Sequence, residues 1–287
     1  MKNLRCRAIL VAVLAVLLQG CGVLDHGFLN AQGPVAAHER HFFLIACAIL
    51  VFVALPVLIL VPLIAWHYRL SNTHHAYRPR WTFSWTLEGF IWIPPIGIVV
   101  LLSFLLWPAT HRDDPYTRLA ERGAPLRVQA IALDWKWVFV YPDEGIATVN
   151  ELAVPTGRPV RVELTSGTVM QSLLMPQLAG QIYAMAGMRT RLNFAADRDG
   201  RYLGQNTQFN GQGFAHQRFD VIAMPDGDYR AWLARARAAD RPLDADAWRA
   251  LSAKGLTRPG TYSAVAPGFF EQVLADAGGA HVSGHAR

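Results

Sequence analysis

The residues that could carry chemistry in this 287-residue chain are few and spread along it. The three cysteines, Cys6, Cys21 and Cys47, all precede residue 108, so no thiolate is available to a metal site later in the chain. Copper centres depend on thiolate sulfur, for which neutral amides are poor substitutes. His281 and His285 are too isolated to indicate a metal site. No Ser/His/Asp arrangement and no phosphate loop in a strand-to-helix context indicates a hydrolase or a transferase.

One carboxylate lies in an apolar part of the chain. Glu88 is the only ionisable residue between Trp81 and Trp107. Charged side chains at membrane depth are costly, and they are usually functional or paired. Two interpretations stay open: a functional group, or an interfacial carboxylate that reaches the cytoplasm or pairs with Arg78 or Arg80.

The start of the chain, residues 1–20, has the pattern of a lipoprotein signal peptide. A basic start is followed by an apolar run from Ala8 to Leu18, which is too short to span a bilayer, and by Leu-Gln-Gly immediately before Cys21. We expect cleavage at this point and lipidation of Cys21. An uncleaved anchor, or an unmodified cysteine, is the alternative. Residues 21–41 then form an N-terminal segment outside the membrane.

Two apolar segments predict a transmembrane hairpin. Residues 42–66 carry no charge and reach about 37 Å as a helix, enough to cross the hydrocarbon core. Residues 85–107 form the second span. The loop between them, residues 67–84, contains arginines and no acidic residue, so the positive-inside rule makes it cytoplasmic. The hairpin then lies in the bacterial inner membrane, and the chain after residue 107 lies in the periplasm. A lipidated Cys21 must lie on the same side.

Composition and charge favour a membrane protein with one exported domain over a nucleic-acid-binding protein. The chain is 52% hydrophobic, and its apolar residues are concentrated before residue 108. The formal net charge of +6 includes three cations of the predicted leader, so +3 remains without them. The remaining arginines are scattered, and no basic run is interleaved with aromatic residues.

The pattern changes to alternation from Leu126 to Pro225, within a predicted periplasmic domain of residues 108–225. Val160, Val162 and Leu164 alternate with polar residues, as the residues of half-buried strands do. Turn-forming residues separate the candidate strands at 142–145, 155–159 and 197–200. Several short strands with this punctuation predict an all-β sandwich or Greek-key barrel.

Four aromatic residues, Trp135, Trp137, Phe139 and Tyr141, occupy alternate positions. Period two predicts that all four lie on one face of a single strand. We expect these rings to pack the domain against itself or against a neighbouring subunit, because they bring large apolar area with few rotatable bonds.

Residues 226–277 return to helical patterning and form an aromatic-rich extension. We predict one helix from Asp226 with an aspartate cap, a second from Asp244 to Leu251, and a third from Pro267 to Leu274. Residues 278–287 are small and polar, and we predict a disordered tail there.

Three runs carry a resemblance to a known family: residues 132–142, 145–152 and 181–188. Together with the hairpin and the extension, they resemble subunit II of the haem-copper oxidases, in the cytochrome o ubiquinol oxidase branch. In the cytochrome c oxidase branch the stretch around Tyr183 to Gly187 reads D-A-x-P-G, from which this chain departs at Tyr183 and Ala186. The resemblance covers nearly the whole chain after the leader. It implies a cupredoxin-like Greek-key fold for the periplasmic domain, and docking onto the complex for the extension.

The resemblance also implies a vacant copper site. In copper-bearing members the metal loop runs C-x3-C-x3-H-x2-M, with a further histidine upstream. The matching positions here are Asn206, Asn210, Phe214 and Gln217, with Gln171 upstream. None of these side chains replaces a thiolate, so we expect no cofactor in this chain. Trp135 matches the family position that receives electrons from cytochrome c, a role that cannot operate without copper.

The surroundings of Glu88 match the same family. Glu88, Trp92 and Pro95 follow the pattern E-x3-W-x-x-P of oxidase subunit II. There the glutamate lies at the cytoplasmic mouth of a proton pathway into subunit I. The resemblance therefore implies that Glu88 is a proton-entry residue.

The function that follows from these features is that of a non-catalytic subunit II of a proton-pumping quinol oxidase. The resemblance implies haems and copper in partner subunit I, further subunits III and IV, and ubiquinol as a donor that arrives through the membrane. The missing cysteines argue against a cytochrome c oxidase subunit II. A free-standing periplasmic lipoprotein that uses a metal-free cupredoxin fold as a binding module is the alternative. The sequence leaves ubiquinol or menaquinol open as the donor.

Overall fold

The computed structural model describes residues 27–69, 71–72, 80–119 and 123–284. The predicted signal peptide, Cys21 and Arg78 lie outside the described residues. The chain divides into two compact units, one of residues 40–114 and one of residues 115–287 together with residues 1–39. The second unit is called the β-domain below.

Two long apolar helices lie where the hairpin is predicted. They are α1, Pro34–His67, and α2, Trp85–Arg112. Each is long and apolar enough to cross a membrane. Both extend beyond the predicted spans, residues 42–66 and 85–107. The reason is that apolar composition marks the part of a helix that lies in lipid, whereas the backbone hydrogen bonds of a helix continue into its polar flanks.

The β-domain contains two sheets. Their strands are β1 Leu126–Leu133, β2 Lys136–Tyr141, β3 Ile146–Val149, β4 Glu151–Pro155, β5 Val160–Ser166, β6 Gln171–Met175, β7 Ala179–Ala184, β8 Thr190–Phe194, β9 Gly200–Asn206, β10 Arg218–Met224 and β11 Gly260–Tyr262. One sheet has the order β11-β3-β2-β1-β5-β8, and the other has the order β4-β10-β9-β6-β7. The pairs β1–β5 and β4–β10 are parallel, and the other paired strands are antiparallel. The predicted turns at 142–145, 155–159 and 197–200 fall between strands or at a strand start.

Strand β2 is buried on both faces. Trp137, Phe139 and Tyr141 point into the core between the sheets, as predicted. Val138 and Val140 point to the opposite side, where a second core lies. The prediction that Trp135 shares the aromatic face is wrong, because Trp135 lies in the turn before β2 with a φ of 69°. Period two holds only within a strand, so it does not extend through a left-handed turn residue.

The C-terminal extension supplies the second core. Its helices are α3 Asp226–Arg237, α4 Ala245–Ser252 and α5 Phe269–Gly284. Leu243, Leu251, Tyr262, Phe270 and Val273 pack on Ile131, Leu133, Val138 and Val140 of the six-stranded sheet. These side chains of the extension therefore cover part of the domain's own sheet, and the docking onto the complex that the resemblance implied stays a prediction.

The helix ends differ in part from the predictions. The Asp244 carboxylate accepts a hydrogen bond from the Ala247 amide at 2.8 Å and caps α4. Asp226 does not cap α3, since the N-cap is Pro225 and Asp226 is the first helical residue. Helix α5 continues to Gly284, where a disordered tail was predicted from residue 278.

A close contact between two glycines lies where helix α5 passes residue 278. A Cβ on Gly187 would lie 2.6 Å from the Gly278 Cα atom, so only glycine permits this approach of helix α5 to the β-domain. Gly187 also has a φ of 71°, which glycine adopts without strain. Gly278, one of the small residues that suggested disorder, therefore lets the backbone of α5 pack closely on the β-domain.

A buried lysine joins the extension to the sheet. Lys136 is 1% exposed, and its ammonium group donates to the carbonyl oxygens of Leu251 at 2.9 Å and Ala253 at 2.6 Å. These carbonyls end α4, where a cation is favourable. Burial lowers the pKa of Lys136, and the nearby Asp134 partly opposes this shift.

The segment before α1 belongs to the β-domain, although the prediction placed the domain within residues 108–225. The Gln32 amide donates to the Gln177 carbonyl oxygen at 2.7 Å, and the Asp197 amide donates to the Gln32 carbonyl oxygen at 2.8 Å. A Cβ on Gly33 would lie 2.3 Å from the carbonyl oxygen of Ala195, so glycine is required there. Ala36 in the first turn of α1 is fully buried.

Replacing Lys136 by methionine should destabilise the detergent-solubilised full chain by about 2 kcal/mol, because two helix-end carbonyls lose their donor while the packed stem remains. Between the lowered pKa of Lys136 and 10.5, the unfolded wild type binds more protons than the folded wild type. The stability difference between wild type and variant should therefore grow as the pH rises through this window.

Denaturant unfolding at several pH values measures this difference. Lys254→Met is the matched control, because Lys254 is exposed and its ammonium group lies only over the Trp135 ring. Equal stability of wild type and Lys136→Met would contradict the role of Lys136.

Candidate functional site

The predicted site residues of the β-domain lie at one end of the two sheets. This end, called the loop end, consists of the turns 134–135, 167–170, 185–189 and 207–217. The Gly167 amide donates to the Ala132 carbonyl oxygen at 2.9 Å, and the Ser166 amide donates to the Met185 carbonyl oxygen at 3.4 Å. The Trp135 indole donates to the Asn210 carbonyl oxygen at 3.3 Å. The four turns are thus bonded to one another or to the adjoining strand ends.

Four of the five positions expected to be a vacant copper site meet at the loop end. We call Gln171, Asn206, Asn210 and Gln217 the amide cluster. Gln217 lies at its centre and is 1% exposed. Its side-chain oxygen accepts from the Asn206 amide group at 3.0 Å and from the Asn210 amide group at 2.7 Å. Its nitrogen donates to the Gln171 side-chain oxygen and to the Leu133 carbonyl oxygen at 3.2 Å.

The outer members of the cluster bind the surrounding backbone. Gln171 donates to the Leu133 carbonyl oxygen at 3.1 Å. The Asn206 side-chain oxygen accepts from the amides of Ser172 at 3.0 Å and Gln208 at 2.9 Å. Buried polar groups without partners are costly, and in this cluster nearly every one has a partner. Among the side chains of the four cluster residues, the exception is the buried Asn210 oxygen.

The amide cluster does not fit a copper ion. It offers no sulfur and no imidazole, and its amide groups already bond to one another and to the backbone. Within the described residues, no group of three or more His, Cys, Asp or Glu side chains could hold a metal ion. The arrangement can therefore join strands and turns, but it supplies no soft ligand.

The fifth position, Phe214, lies outside the cluster. It belongs to a short 3-10 helix, Phe214–His216, and its ring meets the Phe209 ring edge-on at 5.7 Å. The Phe214 side chain therefore contributes a contact between two aromatic rings, and not a hydrogen bond, to the loop end. Spacing alone could not separate Phe214 from its neighbours, because all five positions came from one motif.

Trp135 packs on the glycines of the loop. A Cβ on Gly213 would lie 2.1 Å from the Trp135 ring, so this ring needs a glycine beneath it. The Lys254 ammonium lies 5.1 Å from the centre of the same ring. Trp135 therefore holds the 207–217 turn in place and is only partly accessible.

Glu88 lies in the other unit, in the first turn of α2. The Ser84 side chain caps this helix by accepting from the Leu87 amide at 3.5 Å. The Trp92 indole donates to a Glu88 carboxylate oxygen at 3.0 Å. Residues four apart share one face of a helix, which explains the spacing between this glutamate and this tryptophan. In the described part of the chain Glu88 has no ion pair with Arg80, and Arg78 lies outside that part.

Some contributors to the cluster were not predicted. The carbonyl oxygen of Leu133 accepts from two cluster side chains, and the hydroxyl groups of Ser172 and Thr207 bond to each other. A backbone carbonyl leaves no sequence signal. The density of amides did offer one, since six of the thirteen residues from Gln205 to Gln217 are asparagine or glutamine.

Two apolar membrane-type helices and a cupredoxin-like β-domain define the class of second subunits of haem-copper oxidases. The family model "Cytochrome C oxidase subunit II, periplasmic domain" matches residues 144–223. The chain is 39% identical to cytochrome bo(3) ubiquinol oxidase subunit 2 of Pseudomonas aeruginosa, over 91% of this chain and 78% of that protein. It is 36% identical to the protein of the same name from Pseudomonas putida, over 90% of this chain and 82% of that one.

A third relative extends this result. Ubiquinol oxidase subunit 2 of Acetobacter aceti is 36% identical, over 91% of this chain and 85% of that protein. The chain belongs to the ubiquinol oxidase subunit 2 family. The resemblance found in the sequence is thereby confirmed, and so is the membrane-anchored, cupredoxin-like architecture.

Replacing Gln217 by leucine should destabilise the full chain by about 3 kcal/mol or more, because five hydrogen bonds of the Gln217 side chain are lost at a buried position. Gln212→Leu is the matched control, since Gln212 is exposed in the same turn. Thermal unfolding of the two purified variants measures the difference. Equal melting temperatures would show that the cluster does not hold the loop end together.

Proposed function

We propose that this chain is the non-catalytic subunit II of a proton-pumping quinol oxidase that reduces O2 to water with electrons from ubiquinol. The observation that carries the proposal is the amide cluster, which stands at the family's copper positions in a chain of the ubiquinol oxidase subunit 2 family. The haems and copper belong to subunit I, and subunits III and IV complete the complex. A free-standing periplasmic module is disfavoured, because relatives that match about nine-tenths of the chain are named as oxidase subunits.

The amide cluster favours an electron path that avoids the β-domain. Amides bonded to one another have no accessible redox state, and Trp135 is packed on the 207–217 turn. A lipid-soluble donor reaches subunit I within the membrane, so this route needs neither cytochrome c nor a copper relay. The contribution of this chain is then assembly, a periplasmic cap and the start of a proton path.

Glu88 is the proposed entry residue of that proton path. A carboxylate in the first turn of α2 takes up protons at the cytoplasmic end of the helix, and the Trp92 indole holds one of its oxygens. This hydrogen bond engages one carboxylate oxygen, and the second oxygen can accept from another donor. Because Trp92 on the same helix binds the Glu88 carboxylate, a functional role of this carboxylate is favoured over an ion pair with Arg80.

Lipidation of Cys21 completes the proposed topology. A lipid on this residue anchors the N-terminus on the periplasmic side, and the Gln32 contacts place the following segment on the periplasmic β-domain. The β-domain follows the end of α2 at Arg112 in the chain. If α2 ends in the periplasm, the β-domain lies on the same side of the membrane as a lipidated Cys21.

Purification of the tagged full chain from membranes in mild detergent tests the assignment. The haem-bearing subunit should copurify, and the preparation should oxidise ubiquinol with consumption of O2. After separation, the tagged chain itself should contain no stoichiometric copper. A tagged chain that elutes alone while the haem elutes elsewhere would refute the oxidase assignment.

Glu88→Gln should slow quinol oxidation at least about tenfold, because the amide still accepts the Trp92 hydrogen bond but cannot carry a proton. Haem content should stay at the wild-type level. Trp92→Phe is the matched control, since it removes the hydrogen bond and keeps the carboxylate. Turnover and proton pumping are measured in reconstituted vesicles, and wild-type values for Glu88→Gln would end the proton-entry role.

A further inference from the structure

The β-domain holds a cavity lined by two arginines, which we call the arginine cavity. Its volume is about 310 Å³, at the lower limit for pockets that bind small ligands. Arg118, Arg161 of β5 and Asn193 of β8 supply its polar side chains, and its apolar walls are Leu119, Pro125 and Pro159. Among the described residues, no aspartate or glutamate lines it. The arginine cavity therefore combines positive charge with an apolar surface.

The guanidinium group of Arg161 has a buried donor without an acceptor. Its Nε atom is buried and forms no hydrogen bond within the described structure. Such donors are rare in proteins, and they are costly when the group is charged. The carboxylate two positions along β5, Glu163, is held by Arg189 at 3.3 Å and by Arg191 at 3.6 Å. An acceptor from outside the chain would satisfy Arg161.

The surroundings of Arg161 add further positive charge. Arg127 of β1 is its register partner in the sheet, and like charges at close range repel each other. Arg127 is exposed and bonds to Asp143 at 3.4 Å, which is a weak, solvent-screened pair. The Nε atom of Arg158 donates to the Ala124 carbonyl oxygen at 3.2 Å, next to the cavity wall. A bound anion would offset this repulsion.

Backbone hydrogen bonds fix the walls of the arginine cavity. The Leu126 amide donates to the Pro159 carbonyl oxygen at 2.8 Å and joins the two segments that carry the prolines. Asn193 donates to the Pro115 carbonyl oxygen twice, from its backbone amide at 3.0 Å and from its side chain at 2.9 Å. A cavity whose walls are already held loses less conformational entropy when a ligand binds.

The arginine cavity lies at the end of the strands opposite the loop end. Arg161 is the second residue of β5, whose last residue adjoins the 167–170 turn, and Asn193 is the fourth of the five residues of β8. Both connections to the membrane-type helices join the β-domain at this end. The segment before α1 bonds through Gln32 to Asp197, which follows β8 by three residues.

The second connection places the cavity wall near the membrane surface. Pro115, which accepts from Asn193, follows the last residue of α2, Arg112, by three positions. Three residues of extended chain reach at most about 11 Å. Arg112 itself lies about 8 Å along the helix beyond Trp107, the end of the predicted span. Headgroups of a membrane that α2 crosses are therefore within reach of the cavity.

We propose that the arginine cavity binds a phosphate group, that of an anionic phospholipid in the leaflet next to the β-domain. The guanidinium fork matches the oxygens of a phosphate, and basic pockets beside membrane helices bind anionic headgroups. The apolar walls fit the glycerol part of a lipid, which inorganic phosphate lacks. This inference goes beyond the proposed function and does not depend on it.

Titration of the delipidated full chain in an uncharged detergent tests the proposal. Short-chain phosphatidylglycerol should raise the melting temperature along a single-site binding curve. Short-chain phosphatidylcholine adds a cation that the two arginines repel, and inorganic phosphate has no apolar part. Each should therefore bind at least about tenfold more weakly. Equal binding of inorganic phosphate would overturn the lipid as the source of the phosphate group, equal binding of phosphatidylcholine would overturn the preference for an anionic lipid, and no response to any of the three would overturn the site.

Two variants locate the binding in the arginine cavity. Arg161→Lys keeps the charge but removes the Nε donor, and Arg118→Gln removes a charge from an exposed position. Each should weaken phosphatidylglycerol binding at least about tenfold. Arg201→Gln is the matched control, since Arg201 is an exposed strand arginine of the other sheet that bonds to Asp220 at 2.6 Å. The control should bind as the wild type does.

The melting temperature without ligand shows whether each variant folds. If Arg161→Lys does not fold, Arg118→Gln decides, because its side chain is exposed and the fold does not rest on it. Wild-type affinity in a folded Arg118→Gln or a folded Arg161→Lys overturns the proposal. Copurification of the haem-bearing subunit is a separate readout, so failure of the lipid site leaves the proposed function intact.

Discussion

The side chain of Gln217 is the contact on which the loop end depends. The oxygen and the nitrogen of this side chain bond to the side chains of Gln171, Asn206 and Asn210 and to the carbonyl oxygen of Leu133, the last residue of β1. A metal ion would draw the same elements together by coordination, at the same positions of the family motif. Here hydrogen bonds between neutral groups perform that work, so the fold keeps its geometry without a redox centre. Because Gln171, Asn206 and Leu133 are buried, the arrangement tolerates little displacement.

A second constraint comes from the six-stranded sheet, whose strands β1, β2 and β3 are buried on both faces. The inner face of these strands packs on the other sheet, and their outer face is covered by α4 and α5. Lys136 illustrates how closely the two layers are coupled, because a strand residue supplies the donor that ends a helix of the extension. Leu243, Leu251, Phe270 and Val273 of the extension are thus buried within the chain. Seven large apolar side chains stay exposed on the described β-domain, and four of them, Val169, Met170, Met188 and Phe209, lie in turns of the loop end.

The sequence predicted the membrane-type helices and the β-strands because each leaves a local signal. Apolar length gave α1 and α2, alternation gave β5, and the absence of cysteine after Cys47 excluded a copper thiolate. The failures have physical reasons. Trp135 lies in a left-handed turn, which period two does not describe, and Phe214 turned from the cluster towards another ring. The bonds of Leu133 and Gln32 involve backbone atoms, which no side-chain pattern records.

The tail and the extension show a related difficulty. Small residues after Gly278 suggested disorder, yet the absence of a side chain on Gly187 is what lets α5 approach the domain so closely. The aromatic content of the extension indicated burial correctly but did not identify what it is buried against. Apolar pattern determines that a face will be covered, whereas the covering surface depends on chain topology.

The contacts of Gln32 and Gly33 have a consequence for biogenesis. They close the β-domain by joining a segment that precedes the first membrane crossing to turns that follow the second. Such a bond forms only when both ends of the hairpin have been delivered to the same compartment. A chain inserted with either end on the wrong side would therefore leave the backbone groups of Gln177 and Asp197 without their partners on Gln32.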